Sequence, residues 1–281
     1  MNTRLAQNAY GKNAINLSRV IRHQDRHDIR QVSVNISLQG DFETVHTHGD
    51  NTKVLPTDTM KNTVYILAKD YFTTSIEAFG LHLTEHFLSN NPQVAEVKAA
   101  LTEYCWSRMV FDGSPHPHAF LNGGSEKHTT LITRNREGST AEAGIKDLLI
   151  LKTADSGFEH YKKDPYTTLK ETSDRIFSTQ CEVSWIYHSP YPDFMESYEG
   201  IRLNLLQTFA GHKSLSVQHT LYAMGEKVLA DFAAVKEITL RMPNKHHIPF
   251  NMEPFGLING NEVFMATDEP YGYITGTVVR G

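Results

Sequence analysis

The sequence predicts an α+β fold made of two successive copies of one unit, and three observations carry that reading. Apolar residues alternate with a period of two in the stretches that open and close each half, the pattern of half-buried antiparallel strands. Between those stretches the period lengthens twice to that of a helix. The resulting order, strand, strand, helix, helix, strand, strand, then recurs. Ile15 and Ile145, Thr57 and Asp193, and Val97 and Ile238 stand 130, 136 and 141 positions apart, a drift that loop-length differences produce.

In the first half, Ile15, Leu17 and Ile21 alternate, and so do Val32, Val34, Ile36 and Leu38 up to Gly40-Asp41. Met60, Val64 and Leu67 fall on one helical face, and Ile76, Phe79, Leu83 and Phe87 on another, with Thr57 and Ser75 placed as N-caps. Alternation returns at Val97, Ala99 and Leu101 and again around Leu131. The prolines and paired glycines between Asp112 and Gly124 read as a loop. The second half repeats the order. Ile145, Leu149 and Leu151 form one strand pattern and Cys181, Val183, Trp185 and Tyr187 the next. A helix through Phe194, Tyr198, Ile201, Leu205 and Phe209 is opened by Asp193, with Glu196 completing a capping box. A second helix carries Val217, Leu221, Met224 and Val228. Strands follow at Ile238, Leu240 and Met242, at Val263 to Ala266 and at Tyr273 to Val279. Thr168-Leu169-Lys170-Glu171 is one more capping box and predicts an extra short helix. The expected units are residues 1–138 and 139–281, each an antiparallel sheet with two helices on one face. Two such sheets leave long unpaired edges, and joining edges between subunits into a closed barrel removes them, so an oligomer is expected.

Composition narrows the function classes. The 281 residues include 27 basic and 32 acidic side chains, a net charge of −5, which offers no field for gripping nucleic acid or an anionic membrane. Two cysteines, Cys105 and Cys181, are too few for a disulfide framework and fit a reducing compartment. The opening residues lack the apolar stretch of a secretory signal, and no run approaches the ~18 apolar residues of a membrane span. A cytoplasmic enzyme or binding protein is expected.

Fifteen histidines invite a metal reading. His46-x-His48 and His116-x-His118 have the spacing that puts two imidazoles on one side of a strand, yet neither has a convincing third ligand nearby. His246-His247 are adjacent, and neighbouring strand residues face opposite ways, so one of the two is expected in any given pocket. Zinc-hydrolase, thiol-redox, nucleophile-elbow and dinucleotide-binding motifs are all absent, and Gly123-Gly124-Ser125 lacks the strand-then-helix context of a phosphate loop. The expectation is no metal and no cofactor.

Longer strings carry a resemblance. Tyr10-Gly11-Lys12, Thr57-Asp58-Thr59 with Lys61-Asn62-Thr63, and the run from Tyr166-Thr167-Thr168-Leu169-Lys170-Glu171-Thr172 to Arg175 resemble the urate oxidase (uricase) family. Ser216-Val217-Gln218 and Leu240-Arg241-Met242-Pro243-Asn244-Lys245-His246-His247 continue it in order across nearly the whole chain. The resemblance implies two tandem tunnelling-fold (ββααββ) units, assembled as a homotetrameric barrel with active sites at subunit interfaces. It also implies cofactor-independent oxidation of urate by molecular oxygen and water to 5-hydroxyisourate and hydrogen peroxide.

The implied roles are consistent with the residue types. Arg175 matches the guanidinium that pairs bidentately with one edge of the urate anion. Gln218 suits the opposite edge, and Val217 contributes a backbone N–H at a helix N-terminus, where anions are favoured. Phe158 matches the stacking aromatic, although Ser156-Gly157-Phe158-Glu159-His160 departs from the usual family string. Thr57 and Asn244 match the pair that holds oxygen or water above the purine, and Asp58 stands beside Thr57 as a substrate-binding residue. Lys12, Thr57 and His246 match the catalytic proton relay. A lysine serves as a base only where burial or positive neighbours favour its neutral form, whereas a histidine titrates near neutrality by itself. Read without the resemblance, Val217 is the first core residue of its helix, Thr57 a helix cap and Asn244 a turn residue after Pro243. The alternative function is a metal-dependent tunnelling-fold enzyme on a purine or pterin, with His116 and His118 as ligands.

Overall fold

The computed structural model describes residues 3–189 and 191–281, so the first two positions of the expected 1–138 unit lie outside it. The chain divides into two compact units, Met1–Gly144 with Ser189–Met195, and Ile145–His188 with Glu196–Gly281.

The first unit carries four strands, β1 (Tyr10–Arg22), β2 (His27–Gly40), β3 (Val94–Phe111) and β4 (Ser114–Asn135), in the order β1-β2-β3-β4. All three pairings are antiparallel, with Leu17 opposite Val32, Val34 opposite Leu101 and Ala99 opposite Ile132. The register puts the alternating apolar residues on one face, where Val32, Val34, Ile36, Leu38, Val97 and Ala99 are fully buried. Two amphipathic helices cover that face, α2 (Thr57–Tyr71) against β1 and α3 (Ile76–Ser89) against β3 and β4. A short helix, α1 (Glu43–His48), precedes them. Met60, Val64, Phe79, Leu83 and Phe87 fill the layer between helices and sheet. Each such side chain contributes about 1.5–3 kcal/mol by leaving water. Gly80 sets the approach of α3, since a Cβ there would stand 2.7 Å from the Ile132 side chain. Ser75 caps α3 as expected, its hydroxyl accepting the Ala78 N–H at 3.0 Å.

Three expectations for this unit fail. Residues 112–124 are not a loop: Asp112-Gly113 alone makes the turn, with φ of 49° and 76°, and β4 begins at Ser114 opposite Phe111. An Asp-Gly pair with both φ positive is a two-residue hairpin turn whose twist matches its strands, and that outweighs the prolines beyond it. His46 and His48 lie on α1, not on a strand, and helix positions two apart do not face each other. The His46 Nδ1–H donates instead to the Phe42 carbonyl at 2.9 Å. Thr57 is not the cap of α2. Pro56 occupies that position without a side-chain bond, leaving Thr57 as the first helical residue with its hydroxyl uncommitted to capping.

The second unit has β5 (Ser139–Lys152), which starts just before it, then β6 (Phe177–Tyr187), β7 (Val235–Pro249) and β8 (Phe264–Val279), in that order. The last two expected strand stretches are one continuous strand. Asp193 immediately precedes α4 (Phe194–Gly211), with Glu196 in its first turn. The helix α5 (Val217–Asp231) packs on β7 and β8. Trp185, Ile201, Leu205, Met224, Ile238, Leu240 and Met242 form the core. No helix forms at Thr168–Glu171. Thr172 is paired with Phe158 in an antiparallel bridge that requires extended chain, and the Glu171 carboxylate is bound to Lys163 at 2.8 Å instead of reaching back to a cap. Among the described residues no helix is long and apolar enough to cross a membrane.

The first unit also buries a charged quartet that the sequence reading missed. Arg30 holds Glu103 through Nε–Oε1 (2.6 Å) and Nη2–Oε2 (2.7 Å), and the His128 Nε2–H donates to Glu77 Oε1 at 2.7 Å. His128 Nδ1 lies 3.7 Å from Glu103, and the His128 and Glu77 side chains are only 2% and 0% exposed. Burial pulls the His128 pKa down, but the Glu77 and Glu103 carboxylates outweigh it and raise it above the ordinary 6.5. Burial likewise pushes Glu103 up, and His128 and Arg30 reverse that to below 4.5. A raised histidine stabilises the fold fully below its unfolded pKa and loses that contribution as pH climbs through the folded one. A lowered carboxylate stabilises above its unfolded pKa and loses that contribution on acidification. Thermal stability is therefore expected to be highest between about pH 4.5 and 6.5 as far as this quartet contributes. Melting curves of the wild type and His128→Gln across pH 5–9 check this. The gap between them closes as pH rises if His128 acts as a cation, and a constant gap refutes it.

Candidate active site

Three segments of the second unit converge through backbone bonds. The Ser214 N–H donates to the Asp155 carbonyl (2.9 Å) and the Gly157 N–H to the Ser214 carbonyl (2.8 Å). Phe158 and Thr172 exchange both of their N–H bonds, at 2.7 and 3.2 Å. These pairings bring Phe158, Arg175 and the start of α5 together although they are far apart in sequence. Only glycine fits at position 157, because a Cβ there would lie 2.9 Å from the Ser173 carbonyl oxygen. The guanidinium of Arg175 lies 5.2 Å from the Phe158 ring centroid, within cation–π range, and Tyr161 stacks on the same ring at 4.8 Å with 13° between planes. Burial lowers the Arg175 pKa below its ordinary value, and among the described residues no acidic side chain pairs with it. It is a partly desolvated cation with its donors unspent.

A cavity of about 550 Å³ opens beside this pair, lined by Phe158, Arg175, Thr172, His246, His247 and Phe264 among others. His246 reaches it from β7, where the pairing with β8 slips between Asn244 and His246. The Asn244 Nδ2 amide donates to His246 Nδ1 at 3.3 Å, and Asn244 is half-buried. Both histidines are among the residues lining the cavity, and they keep regular register with β8, His246 opposite Thr267 and His247 opposite Ala266. Val217 and Gln218 open α5 just outside the lining, where the Ser216 hydroxyl accepts the His219 N–H at 3.1 Å and caps the helix. The Val217 side chain is buried while its N–H, in the first turn, has no intrahelical acceptor. Gln218 is exposed.

The other candidates form a cluster in the first unit. Tyr10 joins β1 to the segment before α2, its hydroxyl accepting the Leu55 N–H at 2.9 Å, and this sets Lys12 close to the start of α2. A β-bulge follows Lys12: its register partner is Ile36, the next pair is Ile15 with Val34, and Ala14 sits between them at φ 54° with its N–H on Asn35 Oδ1 (2.7 Å). Bulges of this kind redirect neighbouring side chains. Asp58 is bound by Lys61 and, at 3.1 Å, by the Asn62 amide. Its pKa is lowered first by the Lys61 bond and charge, with a smaller contribution from the Lys12 ammonium, which places Lys12 within electrostatic reach of Asp58. Thr57, the first residue of α2, is half-buried.

His116 and His118 do come together on β4, with ring centroids 4.7 Å apart and His27 a further 6.1 Å from His118. Among the described residues, however, no three histidine, cysteine, aspartate or glutamate side chains converge as a metal would require.

The chain resembles known proteins over nearly its whole length. The family model described as Uricase matches residues 8–133 and 141–275. The uricase of Arthrobacter globiformis is 41% identical over 276 residues, covering 98% of this chain and 90% of that protein. The uricase of Oryctolagus cuniculus is 38% identical, covering 96% of this chain and 93% of its own length. The crystal structure of the Arthrobacter globiformis uricase superposes with a TM-score of 0.95 at 40% identity, over all of this chain and 96% of that one.

Proposed function

The chain belongs to the uricase family, and from that premise we propose that it is a urate oxidase converting urate, O2 and water to 5-hydroxyisourate and hydrogen peroxide without a cofactor. The observation that carries the reading is the unpaired Arg175 guanidinium over the Phe158 ring, in a cavity that His246 also lines. A flat anion is what an aromatic face and an unspent guanidinium suit together. In this reading Arg175 and Gln218 hold opposite edges of urate, Phe158 takes one purine face, and the Val217 N–H adds an anion contact. Thr57 and Asn244 hold oxygen or water above the ring, with Asp58 ordering the start of α2.

Lys12, through Thr57 and His246, takes the proton whose removal makes bound urate electron-rich enough to reduce O2. The two electrons leave the purine for oxygen, a peroxide adduct forms on the ring, and its loss as hydrogen peroxide leaves a site that adds water. The protein supplies positioning, charge stabilisation and a proton path. The proposal extends to a cytoplasmic homotetramer with its active sites at subunit interfaces.

The test is a urate assay on protein stripped by exhaustive chelation, run with and without air. Loss of urate absorbance, with one peroxide released per urate and none under anaerobic conditions, is the expected result. Activity that dies on chelation and returns with added zinc overturns the cofactor-free reading in favour of a metal-dependent enzyme using His116 and His118.

A further inference from the structure

We propose that Asp174 is a positioning residue of the purine site, acting through the Ser156 backbone to fix Phe158 against Arg175; the inference rests on the urate oxidase reading. The Asp174 carboxylate does not turn to its neighbour Arg175. Its Oδ1 accepts the N–H of Ser156 at 3.1 Å, and its own carbonyl accepts the Thr172 hydroxyl at 2.7 Å. Ser156 is buried at 2% exposure, so without Asp174 its N–H loses its acceptor in a place water reaches poorly. On either side of Ser156 the backbone is constrained. Asp155 holds φ at 57°, in the left-handed region that only glycine adopts readily, and Gly157 abuts the Ser173 carbonyl. Such a turn persists only when its surroundings over-determine it, and Asp174 adds a side-chain bond to the backbone bonds that hold it.

The consequence for the site is direct. The three clasped segments carry Phe158, Arg175 and the start of α5, so each would contribute one contact to a bound purine. Releasing Ser156 lets the Phe158 segment shift relative to Arg175 in the neighbouring segment before β6. Lys152 is a cation within electrostatic reach of Asp155 and Asp174, and its ammonium donates to the His212 carbonyl at 2.5 Å while the Asp174 Oδ1 accepts from Ser156.

The experiment compares wild type, Asp174→Ala and Asp174→Asn, with melting temperature, binding of an unreactive urate analogue and steady-state kinetics measured for each. Asparagine keeps an oxygen acceptor at the same place and loses only the charge. The expected result is that Asp174→Ala raises the urate KM and the analogue Kd by roughly tenfold with kcat within about threefold, since the contacts disturbed bind ground and transition states alike. Asp174→Asn restores both to within about threefold of wild type. Gly157→Ala, which forces the same two segments apart at their other contact, raises KM in the same way and serves if Asp174→Ala does not fold. Analogue binding unchanged in Asp174→Ala, or equal impairment in alanine and asparagine variants, overturns the positioning role while leaving the urate oxidase reading intact. A wild type that neither binds the analogue nor consumes urate overturns both.

Discussion

Replacing Arg175 with alanine is expected to weaken binding of an unreactive urate analogue by roughly 10- to 100-fold. A charge-assisted hydrogen-bonded contact is worth about 1.5–3 kcal/mol, and each 1.4 kcal/mol is a factor of ten. Arg175 is free to deliver that contribution, because burial has already stripped part of its water and no acid in the described structure competes for it. Lys12→Met is expected to divide the other way, with turnover falling by about two orders of magnitude or more and analogue affinity within about threefold of wild type. Titration of each variant with the analogue, beside kcat at saturating urate, separates the two effects. If Lys12→Met binds the analogue far more weakly yet turns over normally when saturated, the lysine is a binding group and the proton relay has to begin elsewhere.

What the sequence conveyed followed from local periodicity. Val32 to Leu38 and Ile76 to Phe87 declare a strand and a helix through their own spacing, and the recurrence of that order announced two similar halves before any atom was placed. Features decided by competition between local signals were less legible. Asp112-Gly113 carried a hairpin signal that neighbouring prolines obscured, and Thr168–Glu171 carried a helix signal that pairing of Thr172 with Phe158 overrode. Thr57 looked like a cap because a threonine before an amphipathic run usually is one, whereas Pro56 takes that position.

The site was legible only through whole strings matched to a family. Nothing in the period or spacing of Phe158, Arg175 and Val217 says that they meet, because the bonds joining their segments link Asp155 to Ser214 and Phe158 to Thr172. Asp174 shows the limit most clearly. An acidic residue beside an arginine reads as a surface ion pair, and its actual partner is a backbone N–H eighteen positions away.

At a urate concentration far below the raised KM of Arg175→Ala, where neither Thr57→Ala nor Arg175→Ala shows appreciable activity, the two variants are expected to restore urate oxidation when unfolded together and reassembled. Thr57 belongs to the first unit of the chain, with Lys12 and Asp58, whereas Arg175 belongs to the second, with Phe158, Val217, Gln218, Asn244 and His246. Each unit presents strand edges, β1 in the first and β8 in the second, that have no partner strand beyond them in the described chain. Unpaired edges of this length are aggregation hazards unless another chain covers them, and a symmetric assembly repeats every contact it makes. A closed ring formed by such pairing sets the first unit of one copy beside the second unit of the next, so an active site drawing on both would be shared between chains. In a hybrid interface the two lesions then fall into the same site, and the companion site regains intact Thr57 and Arg175. With random mixing a substantial fraction of the interfaces is hybrid, so activity rises from the background of either parent to a sizeable part of the wild-type level. Native mass spectrometry confirms that hybrids have formed, and the peroxide assay reads the outcome. Hybrids that remain as inactive as both parents would mean that Thr57 and Arg175 serve one site from a single chain, and the shared site would have to be abandoned.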